Sequence, residues 1–375
     1  MYARNIGAST LVRRTRTAAI AAVAVLVLLP SAAGAARPSS DACIVKAGGT
    51  TYASVQAALD ASSAGVKLRV SGTCVGPTVV SKDAAISGPA GNGPGATLDG
   101  GGGAASSFDS VLTIAAGATG TVDRLRLTNG YNISGGGGIR NEGTLVLRRS
   151  IVVDNTSDTG GGVANYSDAT ILDSVIDHNG TRLGGNVYNE GTLVIRDSTL
   201  SRGGGRFGNG LYNAGTAVLA DSRVIDDDLA LPLFGGGIEN HGDLTLRRST
   251  ISGNTSVFGG GLLNTGTARL IGSTVTDNAG TAGGGVINGP AFEAGSGLER
   301  LILIDSDVMG NTANNGGGVY NKGQVLVDSR SRVGGNTATS GPGGGIYNEP
   351  GATVTGIGDA TFTPPNTPDD CFGCP

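Results

Sequence analysis

One residue returns along this chain on a nearly fixed period. Asn141, Asn165, Asn189, Asn213, Asn240, Asn264, Asn288, Asn321 and Asn348 follow one another at spacings of 24, 24, 24, 27, 24, 24, 33 and 27 residues. A glycine-rich step precedes each of them, as in Gly235-Gly236-Gly237-Ile238-Glu239-Asn240-His241-Gly242. A unit of this size cannot bury an apolar face by itself, so the repeat predicts a solenoid in which each turn packs on its neighbours.

A second asparagine phases the rest of the turn: Asn155, Asn179, Asn254, Asn278, Asn311 and Asn336, with Gly203 and Asp227 in its place in two turns. Five residues before it stands a serine every time (Ser150, Ser174, Ser198, Ser222, Ser249, Ser273, Ser306, Ser331), and three before it an aliphatic residue such as Val152, Ile176 or Leu200. Serine and aliphatic residue are two apart and share one face of a strand. Two more apolar sets, such as Leu145 with Leu147 and Ile139 two before Asn141, complete three short strands per turn, joined at corners that glycine makes possible. Stacking places like residues over like, and an inward asparagine can bond both the corner backbone and its copies in adjacent turns. The nine ladder asparagines therefore read as structural.

These residues resemble the right-handed parallel β-helix of the pectin-lyase-like superfold. The pairing of Gly-Gly-Gly-Ile-x-Asn with Ile-x-x-Asn is similar to the repeats of polymorphic outer-membrane proteins, strongly over Gly135 to Gly356 and weakly over Val66 to Asn132. Two departures stand out: an aliphatic residue replaces the aromatic usual at Ile251 or Val275, and no C-terminal barrel follows. The expected fold is an all-β, single-stranded right-handed parallel β-helix of about twelve turns, roughly 58 Å long at ~4.8 Å per turn.

The ends read differently. Arg4, Arg13, Arg14 and Arg16 precede an apolar run from Ala18 to Leu29 and an Ala33-Gly34-Ala35 step, the pattern of a secretory signal peptide over residues 1–36. Arg13-Arg14 raises a twin-arginine route, although Thr15-Arg16-Thr17 lacks the apolar residues expected after the pair. Residues 37–65 form a cap in which Ser54 to Ala61 reads as a short amphipathic helix, and residues 66–360 form the solenoid. The Pro-, Asp- and Asn-rich tail 361–375, with Cys371-x-x-Cys374, reads as loosely ordered. Solenoid ends lie many turns apart, so the four cysteines pair as Cys43–Cys74 and Cys371–Cys374.

The chain has 26 Lys+Arg against 30 Asp+Glu, and removing the four leader arginines leaves 22 against 30. That balance argues against nucleic acid and anionic membrane as partners. The expected product is secreted, monomeric and free of cofactor and metal. For a galacturonan hydrolase the resemblance implies a Gly-His-Gly and an Arg-Ile-Lys step; neither occurs. One outward column carries chemistry: Asp154, His178, Arg202 and Asp226 in consecutive turns, raw material for acid–base work on a sugar or uronate. A second, Tyr188, Tyr212, Tyr320 and Tyr347, would suit sugar faces. Three insertions break the period: Asp228 to Phe234, Gly289 to Arg300 and Thr337 to Pro342. Function is expected to be that of a glycan-binding, adhesin-like scaffold, with a polysaccharide lyase or glycoside hydrolase as the alternative.

Overall fold

The computed structural model describes residues 42–375 except 92, 103–108 and 228–232, and at 359 and 360 the backbone alone. Residues 1–36, over which a signal peptide is expected, lie outside the described residues. The described chain winds into an all-β parallel solenoid of about twelve turns. A typical turn contributes Ile139–Asn141, Thr144–Arg148 and Ile151–Val153. Strands of the first kind form a 12-stranded sheet, here sheet I; the second and third kinds, sheets II and III, belong to one 24-stranded sheet because Val66–Val75 runs through both. Register is residue on residue: Asn141 on Asn165, Leu145 on Ala169, Val152 on Ile176.

Inside run the columns that this register requires. Ile139, Leu145, Leu147, Val152 and their copies are fully buried, each contributing about 1.5–3 kcal/mol. Beside them the amides bond along the axis. Asn165 Nδ2 donates to Asn189 Oδ1 at 2.7 Å and also reaches Ser167 O at 2.9 Å within its own corner. The link repeats from Asn141 to Asn348 at 2.6–2.9 Å. It starts at Asn141 because the residue one turn earlier is Ile114, and Asn141 Oδ1 is left buried without a partner. Serine makes a parallel ladder: Ser174 Oγ accepts from Ser150 N at 3.2 Å and donates to Leu172 O at 2.7 Å.

Glycine is required by the close approach of the next turn, through its backbone carbonyl and through the second asparagine ladder. A Cβ at Gly138, Gly162, Gly237, Gly261 or Gly285 would stand 2.9 Å from the Nδ2 of Asn155, Asn179, Asn254, Asn278 or Asn311. Where position 203 is glycine that amide is missing, and its contact disappears. Asn186 then occupies the glycine position and supplies the amide: Asn179 Nδ2 donates to Asn186 Oδ1 at 3.0 Å, and Asn186 Nδ2 to Ser201 O at 2.9 Å. Ser201 lies two residues before Gly203, the place of the carbonyl that Asn179 itself bonds, Asp177 O.

Both ends are closed. The helix Val55–Asp60 is capped by Ser54, whose Oγ accepts from Ala57 N at 3.1 Å. Ile44–Ala47 lies antiparallel on Val66–Val75, a hairpin element the repeat did not announce, and Cys43 is disulfide-bonded to Cys74. At the other end the tail departs from expectation. It is an extra turn: Asn366 is buried, continuing the second ladder from Asn336 at 3.0 Å, and Cys371–Phe372 adds a strand to sheet I. Gly373 O accepts from Asn348 Nδ2 at 2.9 Å, terminating the first ladder, with Cys371 bonded to Cys374 beside it. Open ladder ends are costly, and a polar sequence therefore orders there.

The Asn186 substitution gives a direct test. Asn186→Gly restores the Gly-Gly-Gly spelling of neighbouring turns, yet it removes two side-chain hydrogen bonds, one from Asn179 Nδ2 and one to Ser201 O, and leaves the space of the side chain unfilled. Stability measured by denaturant unfolding is expected to fall by about 1–3 kcal/mol. An unchanged or raised midpoint would show that the compensation carries no energy.

Candidate functional site

Every turn needs a left-handed residue just before the second asparagine. Asn129, Asp154, His178, Arg202, Asp226, Gly253, Asp277, Gly310 and Gly335 fill that position, with φ between 48° and 68°. Asn, Asp, Gly and His are the types that tolerate this conformation best, so most of the charged column is accounted for by backbone geometry. Arg202 is the exception, and a matching corner at the end of each sheet II strand holds Arg124, Arg149 and Arg248 at φ 46–53°.

The structure joins part of the column. His178 Nδ1 lies 2.7 Å from Asp154 Oδ1, and Arg126 Nη2 donates to Asp154 Oδ2 at 3.2 Å. His178 and Asp154 remain 56% and 43% exposed at their side chains. Arg202 turns away from both, donating to Asp177 through Nε at 2.9 Å and through Nη2. Ser201 Oγ adds a third bond to Asp177 at 2.8 Å. Burial pushes the Asp177 carboxyl upward, but the Arg202 and Ser201 hydrogen bonds outweigh it and hold the group below the usual carboxylate value. Asp226 is exposed beside Gly253 and has no ion-pair partner among the described residues.

Beside Asp154 the surface opens into two adjoining clefts. One, of 420 Å³, is lined by Gly102, Asn129, Gly130, Tyr131, Asp154 and Thr156. The other, of 330 Å³, is lined by Asp154, Asn155, Thr156, His178, Asn179, Gly180 and Gly204. The strand pair Tyr131–Asn132 and Thr156–Ser157 lies at their junction. Tyr131, 37% exposed, and Thr156 did not stand out in the sequence, because the early turns are irregular; Asn129-Gly130, the left-handed corner one turn before Asp154-Asn155, was the available signal. Among the described residues no cluster of three or more His, Cys, Asp or Glu side chains could hold a metal ion.

The tyrosine column lies on the outer face of sheet I but is not an open platform. Tyr188 is 8% exposed, and Tyr212, Tyr320 and Tyr347 are half-buried. Tyr188 stacks on Tyr212 with centroids 5.4 Å apart, and Tyr347 on Phe372 at 5.3 Å. Burial and the Glu190 carboxylate raise the Tyr188 hydroxyl well above its ordinary pKa, and burial with Glu349 does the same to Tyr320, whose hydroxyl donates to Glu349 Oε1 at 2.7 Å. The glycine turn before each strand folds the preceding segment back beside this column: a Cβ at Gly160 would meet Val163 O at 2.4 Å. That fold-back is invisible in the repeat pattern. It also joins two insertions, with Phe292 edge-on to Phe234 and Phe258 at 5.4 and 4.9 Å.

Compared with protein-family models, with curated proteins and with solved structures, the chain matches none. No helix among the described residues is long and apolar enough to cross a membrane.

The Asp177 pair predicts a defined pH dependence. Its folded pKa is depressed, so its contribution is present above the unfolded value and is lost as pH falls through the folded one. Arg202→Gln keeps a comparable residue at the left-handed corner and removes the pair. The thermal-stability deficit of the variant, about 1 kcal/mol, should be full above about pH 4 and shrink in more acid solution. A deficit independent of pH would contradict the assignment.

Proposed function

We propose that the chain is a secreted, monomeric, adhesin-like scaffold that binds extracellular glycans without cleaving them. A leader-like N-terminus and disulfides at both ends of the solenoid support an exported protein. The resemblance to pectin-lyase-like β-helices and to polymorphic outer-membrane repeats belongs to this reading, because that superfold carries extracellular surfaces as well as enzymes.

The observation that carries it is the engagement of the carboxylates beside the clefts. Glycoside cleavage needs a carboxylic acid held protonated near neutral pH and a second carboxylate held ionised. Asp154 is bound through both oxygens, by His178 and by Arg126, and Asp177 is held ionised by Arg202 and Ser201. Asp177 is thereby kept from serving as the acid, and both Asp154 oxygens are already engaged. An open polar cleft with an exposed tyrosine at its edge suits a sugar that is held rather than distorted.

One observation favours the enzymatic alternative. The 2.7 Å Asp154–His178 contact orients the imidazole as in an acid–base dyad, in a cleft, on a backbone at φ 52°. A polysaccharide panel separates the two readings, with binding, unsaturated-uronate absorbance and reducing ends followed together. The expected result is binding without turnover, weakened about tenfold by Tyr131→Ala or Asp154→Asn. Turnover abolished by His178→Asn, a residue the corner accepts, would replace this reading with the enzymatic one. Absence of both binding and turnover would end it.

A further inference from the structure

The net charge of the chain conceals a segregated one. Along the edge of the outer face of sheet II, one column runs Lys46, Arg69, Ser87, Asp123, Arg148, Leu172, and then Arg196, Ala220, Arg247, Ile271. Its one acid, Asp123, is already held by Arg149 at 2.9 and 2.8 Å and by Arg124 at 3.1 Å. The neighbouring outward columns add Lys67, Arg269 and Arg300, and on the acid side Asp168 and Asp243. From Ile44–Ala47 to Arg300–Ile304 this face therefore carries eight cations against three acids, in a chain with 26 cations against 30 acids.

None of the eight cations forms an ion pair with a described residue, whereas arginines elsewhere, such as Arg126, Arg202, Arg248 and Arg332, do. Arg148 Nε is shielded from water and has no hydrogen-bond partner. The corner into sheet III bears acids too, Asp173, Asp197 and Asp221, of which Asp221 is bound by Arg248 at 2.7 Å. They edge the face without pairing its arginines.

We propose that the outer face of sheet II is a binding site for an anionic polysaccharide that carries its charge on every second sugar and lies along the solenoid axis. This rests on the glycan-binding reading and names the ligand class and the face. The period supports it: Arg148, Arg196 and Arg247 occupy alternate turns, about 9.6 Å apart, with Leu172 and Ala220 between and Ile271 one turn beyond. Two turns match the rise of one disaccharide in an extended glycan, so a guanidinium meets each carboxylate or sulfate while an aliphatic side chain meets the uncharged sugar. The guanidinium fork binds such oxyanions in bidentate fashion. The face offers no aromatic platform for bases, and its straight row does not follow a nucleic-acid helix.

The mature chain is titrated in low and high salt with hyaluronan, which has a carboxylate on every second sugar, with polygalacturonate, which has one on every sugar, with neutral dextran and with single-stranded DNA. Hyaluronan is expected to bind most tightly and to weaken with salt. The triple variant Arg148→Gln/Arg196→Gln/Arg247→Gln should lose about tenfold in affinity. Should that variant fail to fold, Val194→Glu, which places a carboxylate mid-face and leaves every arginine, should weaken binding likewise. Unchanged affinity in a folded variant, salt-insensitive binding, or tighter binding of DNA or polygalacturonate would overturn the inference. Binding of dextran alone would sink it and leave the glycan reading standing; binding of no glycan would end both.

Discussion

A hydrogen bond from one side-chain amide to the next, repeated along the axis, is the interaction on which this molecule depends. An asparagine buried alone would leave two donors and an acceptor unpaired, at a cost of about 1–3 kcal/mol. Stacked in register, each completes the next: Asn189 to Asn213 at 2.7 Å, Asn213 to Asn240 at 2.7 Å, Asn240 to Asn264 at 2.7 Å. A slip by one residue would break all of them at once and turn every aliphatic column outward. The polar ladder thus selects the register that the apolar columns then stabilise.

Several features that look independent follow from it. Glycine precedes most core strands because a carbonyl of the next turn and its ladder side chain together fill the space of a Cβ, and where Gly203 removes the ladder side chain, Asn186 takes the space. The tail orders because the last rungs, Asn336 and Asn348, need partners that Asn366 and Gly373 provide. The corners require left-handed residues, and this explains why aspartate and glycine recur before the second asparagine and why asparagine and histidine are accepted there. Once those structural demands are subtracted, two surfaces remain for function: the clefts beside Asp154 and the cationic face of sheet II.

Much of this was legible in the sequence. The period located the strands, the serine and asparagine columns located the interior, and Ser54 marked the helix it caps. What escaped was set by contacts between segments with no common period. The hairpin partner of Val66–Val75, the fold-back that buries Tyr188, and the meeting of Phe292 with Phe234 depend on corner geometry, which composition does not report. The tail was misread because proline, aspartate and asparagine suggest loose chain, while here Asn366 and Asp370 extend a ladder, with Asn366 Nδ2 donating to Asp370 Oδ1 at 2.9 Å. In the charged column, Asp154 and His178 do meet, but Arg202 pairs with Asp177, which projects from the preceding strand.

The most direct test of the ladder is hydrogen exchange at the side-chain amides themselves, followed by NMR on an asparagine-labelled chain. The account predicts that the NH₂ protons of Asn213, Asn240 and Asn264 exchange as slowly as core backbone amides, and that those of exposed Asn314 exchange at once. Fast exchange at the mid-ladder amides, in a chain whose backbone remains protected, would contradict it.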